Sequence, residues 1–387
     1  MRDKPAAPTG TAERAAAAAD AVFGADLYQV LAESADSMVF SPASVASALR
    51  MALCGARGQT AAELARALHI DSPRPQDAAA SGLSLVPAAR DGGSAVFRAP
   101  NTVWVQSGLP LRADFTGQLS RAAAALTDAD FAAAPEAARA EINRLIATQT
   151  EGKITGLLPS GAITALTRLV LASAVYLKAA WGEPFPERAT ADAPFYPDGR
   201  DGRALAVPTM RGTATRAYLR GDGYQAVLLP YRDIGLAMAV LLPDGPPAEL
   251  RPKVAAAGLG ALLAGTAAHQ VTLSLPRFRV ETAFDLIPAL KRLGVTAAFG
   301  GDADFDGITG AEPLQIGAVA HKAYIDVDER GTEAAAATAV MIRTRAAMRP
   351  PSPVTMVVDR PFLFAIVDTQ TSLPVFLGQL SRPGAGS

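Results

Sequence analysis

Apolar residues recur at helical spacing through the first seventy positions and then give way to short, strand-like runs. In AERAAAAADAVFGADLYQVLAES, Phe23, Leu27, Val30 and Leu31 share one face of a 3.6-residue period and predict an amphipathic helix. A second helix is predicted over SPASVASALRMALCGA, with Ser41 as N-cap, Pro42 at the first helical position and Gly55 closing it. Thr60 and Glu63 stand at capping-box spacing and predict the start of a third. Residues 71–95, rich in Pro, Gly, Ser and Ala, predict a loosely built surface region.

From Asn101 onward the pattern changes. NTVWVQSG reads as a strand, and Ile142, Leu145 and Ile146 mark another helix face. LVLASAVYLKAAW, residues 169–181, is apolar enough for a long strand covered on both faces. AYLR, YQAVLLPY, GLAMAVLLP and QVTLSLPRF follow as shorter strands, then a helix around DLIPALKRLG, and PFLFAIVD and PVFLGQL close the chain. Helices come early and strands late without βαβ alternation, so the predicted class is α+β with mainly antiparallel sheet.

Composition changes this picture little. With 50% hydrophobic and 19% charged residues the chain has globular rather than disordered composition. A formal net charge of −1 supplies no global field for nucleic acid or an anionic membrane, and no basic, aromatic-interleaved patch suggests nucleic acid locally. The single cysteine, Cys54, excludes an intramolecular disulfide and lies in an apolar helical stretch, which predicts a buried, inert thiol. The N-terminus lacks the charged-then-apolar pattern of a signal peptide and no run approaches a membrane span. The expectation is a cytoplasmic protein unless a leader was removed.

Reactive chemistry is sparse. There are three histidines. His69 is expected at a helix end, His269 in a loop, and His321 at strand spacing as a hydrogen-bonded interior residue. No nucleophile elbow, P-loop, zinc-protease helix or dinucleotide fingerprint occurs, so the chain is not read as an enzyme, and no cofactor is expected. Asp302, Asp304, Asp306 and Gly307 match the first half of an EF-hand loop, but Pro313 stands where the bidentate Glu belongs. The expectation there is a solvated acidic loop and no metal.

One stretch fits none of these descriptions: DERGTEAAAATAVMIRTRAAMRPPSP, residues 328–353. Alternate residues from Thr332 place Thr332, Ala334, Ala336, Thr338, Val340 and Ile342 on one face, small or apolar throughout. Glu333, Ala335, Ala337, Ala339, Met341 and Arg343 lie on the other, which carries both charges. No proline interrupts 332–342, so each backbone N–H could join a ladder. Gly331 and Pro350, Pro351 and Pro353 flank it, as suits an exposed loop able to join a sheet later.

The residues around this stretch resemble the serpin family, in order and across essentially the whole chain. The resemblance is carried by VFSPASVASALRMALCGARGQTAAEL, NTVWVQ, TEGKITGLL, AVYLKAAWGEPF, VPTM, LPRF, ADFDGIT, HKAYIDVDERGTEAAAATA, DRPFLF and FLG. It implies one domain over 1–387, with three mainly antiparallel sheets, about nine helices and an exposed reactive-centre loop at about 330–358. It also implies a suicide-substrate inhibitor, a monomer whose partner is a serine protease held as a covalent acyl-enzyme. The scissile bond is expected between Arg345 and Ala346, which points to trypsin-like proteases, with Arg343 as the alternative bait. Glu329, Gly331, Thr332, Glu333, Ala334, Ala335, Ala336, Ala337 and Thr338 would form the hinge, and their small residues favour the inhibitory branch. Ser41, Ser44, Ser173 and His321 would form the shutter beneath the opening sheet, with Trp181 at the breach. Ser173 stands where the family carries asparagine. A non-inhibitory carrier, chaperone or scaffold, or an inhibitor of subtilisin-like or cysteine proteases, are the other readings.

Overall fold

The computed structural model describes residues 10–85, 89–333 and 353–383. Among them the strands form two hydrogen-bonded networks, with helices gathered against both.

The eight-stranded network is the central sheet. Its order runs 278–285, 316–327, 331–332, 169–180, 95–98 and 89–92; strand 101–106 also pairs with 169–180 and carries 125–129 at its side. The nine-stranded network runs 38–40, 374–380, 362–368, 236–243, 224–230, 205–221, 267–276 and 354–357, with 191–195 on 205–221. Strand 205–221 is long enough to belong to two sheets. It pairs with 191–195 and 267–276 over its first part and with 224–230 through 217–221, so two of the three expected sheets share one strand. AYLR is the end of that strand, not a strand of its own.

Eight α-helices occur among the described residues, and the longest late one, Pro247–Leu263, is broken at Gly258 (φ 72°), close to the expected nine. Helix Pro42–Gly55 is buried along its entire length. Ser41 caps it by accepting the Ser44 N–H at 3.1 Å, with Pro42 at the first position, as the sequence predicts. Its Arg50 forms a buried ion pair with Asp20 of helix Thr11–Ala32 at 2.6 Å. One cluster of buried side chains lies between the helices and one face of the central sheet. Helix Pro135–Gln149 covers the other face through Ile142 and Ile146, against Val170, Ala172, Ala174, Ala318 and Ala320.

Several expectations are corrected. The described part of 71–95, residues 71–85 and 89–95, is not loose: it contains helix Pro75–Gly82 and strand Ala89–Gly92, and Ala79 and Leu83 are buried. Thr60 does not cap a helix. Helix Gly58–Ala67 begins earlier, Thr60 Oγ accepts the Asp304 N–H at 2.9 Å, and Glu63 accepts the N–H groups of Thr296 and Ala297. The capping-box residues thus serve other segments. His269 lies in strand Ala267–Pro276, with its ring edge-on to Tyr218. The acidic loop is docked rather than fully solvated: Phe305 and Ile308 are buried, and the Arg57 and Gly307 amides tie it to the end of helix Pro42–Gly55.

Candidate functional site at the central sheet

Strands 169–180 and 316–327 lie side by side and parallel. They pair directly from Ile316–Leu169 to Tyr324–Tyr176. Beyond Tyr324 they separate, and the chain that leaves 316–327 folds back between their ends. Gly331 and Thr332 form a two-residue strand there, pairing Gly331 with Ala180, and Thr332 with both Ala179 and Val327. Glycine is required at this point, because a Cβ on Gly331 would lie 2.0 Å from the Ala179 carbonyl oxygen.

Four side chains from elsewhere in the chain hold this turn: Tyr231, Trp181, Arg277 and Thr190. The Tyr231 hydroxyl hydrogen-bonds Thr332 Oγ at 2.5 Å, in a pocket where Thr332 is fully buried. Burial pushes the pKa of Tyr231 up, so its phenol stays neutral. Trp181 stacks on Tyr231 with ring centroids 4.5 Å apart, donates Nε1–H to the Asp328 carbonyl at 3.0 Å, and donates its amide to the Arg330 carbonyl at 2.8 Å. Glu329, buried, accepts from Arg277 Nε at 2.8 and 3.0 Å and from the Thr190 hydroxyl. Burial alone would raise its pKa, but these hydrogen bonds outweigh that and keep it below the usual carboxylate range.

Further along the same strand pair, His321 is opposite Ser173. Nε2 of His321 accepts the Ser41 N–H at 2.9 Å, so the neutral ring carries its proton on Nδ1 and donates it to Ser173 Oγ at 3.0 Å. The ring is fully buried, and that burial lowers its pKa to about 3. The imidazole therefore joins the N-terminus of helix Pro42–Gly55 to both central strands. Ser44 donates its amide to Ser41, and the Ser44 Oγ has no hydrogen-bond partner among the described residues.

Of the expected site residues, Ser41, Ser173 and His321 come together as one cluster, and Glu329, Gly331, Thr332 and Trp181 as another. Glu333 leaves the sheet with a left-handed backbone, φ 48°. Ala334, Ala335, Ala336, Ala337, Thr338, Arg343, Arg345 and Ala346 lie outside the described residues. Tyr231 and Arg277 were not singled out from the sequence as site residues. A buried carboxylate such as Glu329 demands a cationic partner, but nothing local in the sequence says which arginine supplies it.

The site thus consists of two parallel strands in direct contact, with the two-residue strand Gly331–Thr332 between their ends. A family model described as serpin (serine protease inhibitor) matches residues 18–383. An uncharacterized serpin-like protein of Thermococcus kodakarensis is 36% identical over 94% of this chain and 85% of its own length. The leukocyte elastase inhibitor of Sus scrofa is 36% identical over 95% of this chain and 99% of its own. Among solved structures, Serpin48 of the insect Tenebrio molitor superposes with a TM-score of 0.82 at 27% identity, covering 96% of this chain and 99% of that one. The chain belongs to the serpin family.

Proposed function

We propose that this chain is a single-domain, monomeric suicide-substrate inhibitor of serine proteases. The observation that carries the reading is the pairing of 316–327 with 169–180, with Gly331 and Thr332 already between their ends. A strand continuing from Thr332 would extend that two-residue start down the same gap. The loop at about 330–358 serves as bait. The protease serine oxygen attacks the Arg345 carbonyl, the bond to Ala346 breaks, and the Ala346 amine leaves with a proton while an ester forms on Arg345. Residues 332–344 then insert between the two strands; loop insertion of this kind, for which serpins are themselves the general example, adds a strand to a sheet and releases stored strain. Thirteen residue steps at about 3.3 Å each carry the tethered protease on the order of 40 Å, enough to press it against the inhibitor and stall deacylation.

Arg345 favours proteases with an acidic primary pocket, and Arg343 is the second bait. The relatives named as leukocyte elastase inhibitors favour testing elastase as well. The experiment mixes the protein with trypsin, and separately with elastase, at near-equal amounts, and resolves the products on a denaturing gel beside an Arg345→Ala variant. A covalent complex with trypsin that is lost in the variant supports the reading. A complex that persists moves the bait, first to Arg343, and a complex with elastase alone moves it to an apolar residue. Clean cleavage without any complex, repeated with a subtilisin-like and a cysteine protease, would leave the carrier, chaperone or scaffold reading.

A further inference from the structure

We infer that Lys153 is a positioning residue that holds the hinge where it leaves the sheet and so sets the rate of loop insertion. The inference rests on the inhibitory reading above and names a control within the same site.

Lys153 sits on a fixed turn after helix Pro135–Gln149. Gly152 there has φ 74°, its amide donates to the Ala147 carbonyl at 2.7 Å, and the Lys153 amide donates to Thr150 at 2.9 Å. Thr150 and Ile154 are fully buried on either side, and the Thr150 hydroxyl accepts the Ile154 N–H at 3.2 Å. The Lys153 ammonium pairs with the Glu333 carboxylate. The neighbouring cation, Lys322, is committed elsewhere: it pairs with Glu281 at 2.6 Å and donates to the Thr155 carbonyl at 2.9 Å.

Glu333 is the first residue past the two-residue strand. Its amide still donates to the Asp326 carbonyl at 2.9 Å, but its φ of 48° turns the chain out of the sheet. The left-handed region disfavours an L side chain such as glutamate. Thr332 faces Tyr231 on one side of the sheet, and the Glu333 carboxylate, paired with Lys153, lies on the other, the side covered by helix Pro135–Gln149 and its connector. There it lies against Tyr176, whose pKa burial and this negative charge both push up. The second Glu333 oxygen is buried without a hydrogen-bond partner among the described residues.

To continue the strand, Glu333 must pass from left-handed to extended backbone, which swings the carboxylate away from its present position against Lys153. The ion pair therefore stabilises the turned-out form and opposes insertion. After acylation, insertion competes with deacylation, so a weaker latch shifts the outcome toward trapped complex. The same change shortens the lifetime of the uncleaved, insertable form.

The test uses the full chain and the variants Lys153→Met, Lys153→Arg, Glu333→Gln and the Lys153→Met/Glu333→Gln pair. Amide hydrogen exchange at Thr332 and Glu333 needs no protease. Lys153→Met should raise it about tenfold over wild type while amides at 319–324 stay unchanged, and Lys153→Arg should restore protection. The double variant should exchange no faster than either single one. With a protease that wild type traps, Lys153→Met should give about threefold fewer cleaved molecules per covalent complex. Unchanged exchange in Lys153→Met, or equal loss of protection in Lys153→Arg, overturns the latch. Faster exchange with fewer complexes overturns the brake. A wild type that traps no protease, yet shows the exchange effect, overturns the inhibitory reading and keeps the latch.

Discussion

His321 illustrates how a single buried residue fixes the central strands. As an acceptor at Nε2 and a donor at Nδ1 it uses both ring nitrogens, and protonation would put two N–H groups where only one has an acceptor. Its pKa is about 3 in the folded chain against an ordinary value of 6.5. A folded-state value below the unfolded one means the unfolded chain binds the proton first. The stabilisation is complete above pH 6.5 and is lost as pH falls toward 3, with a slope of up to about 1.4 kcal/mol per pH unit. Asp20 acts in the opposite sense: burial raises its pKa to about 6, so its contribution is present below 3.8 and is lost as pH rises through 6. The two partly cancel in wild type. The difference in unfolding free energy between wild type and His321→Gln, measured by urea denaturation from pH 7 to 4, should therefore shrink as pH falls. A pH-independent difference would mean that folding does not lower the His321 pKa. Tyr231→Phe tests the second buried contact. It leaves the Thr332 hydroxyl without that partner and should cost about 1–3 kcal/mol in the same assay.

The turn 329–333 depends on contacts that its own sequence does not contain. Glu329→Gln keeps the shape but loses the charge that Arg277 pairs with, at 2.7 Å from Nη2, and should destabilise the chain by about 1–3 kcal/mol in urea denaturation. Gly331→Ala should do more: the Ala179 and Ala180 backbone leaves the new methyl no room, so the two-residue strand is expected to leave the sheet. Proteolysis at 329–333 should accelerate severalfold in that variant, and unchanged protection would mean that the strand had tolerated the methyl. What could be read from the sequence follows the same division between local and distant contacts. Helix Pro42–Gly55 was legible because its cap, its proline and its closing glycine all belong to the helix's own stretch of chain. Strand 169–180 was legible because both of its faces are covered. Residues 71–95 were not, because Gly82 and Ala79 are ordered by packing on Arg50 and its surroundings rather than by propensity. Thr60 and Glu63 showed capping spacing, yet the groups they satisfy lie more than 230 positions away. For the site, the alternation from Thr332 was visible, whereas Tyr231 and Arg277 reach it across 101 and 52 positions.

At the scale of the molecule, two interior strands of the central sheet meet in direct contact, each already paired on its far side. The ladder between 316–324 and 169–176 is parallel, and Ser173 and His321 bind its two strands together from beneath. In a sheet that is otherwise mainly antiparallel, this pair is the place where a new strand would be antiparallel to both neighbours, as Gly331–Thr332 already is. Insertion would exchange one ladder for two and would bury a face made of Thr332, Ala334, Ala336, Thr338, Val340 and Ile342, none of which brings a charge into the core. The uncut loop cannot do this freely, because its far end is fixed: residues 354–357 form a strand parallel to 271–274. Cutting the loop releases that constraint. Limited cleavage near Arg345 should therefore raise the melting temperature, on the order of 10 °C or more for a gain of several kcal/mol. Calorimetry of the cut and intact chains reads this directly. Replacing a small residue of the alternating face by a charged one, Ala336→Glu, should abolish the rise, because insertion would carry that charge into the core. An equal rise in Ala336→Glu would mean that cutting stabilises the protein by some route other than insertion at this gap.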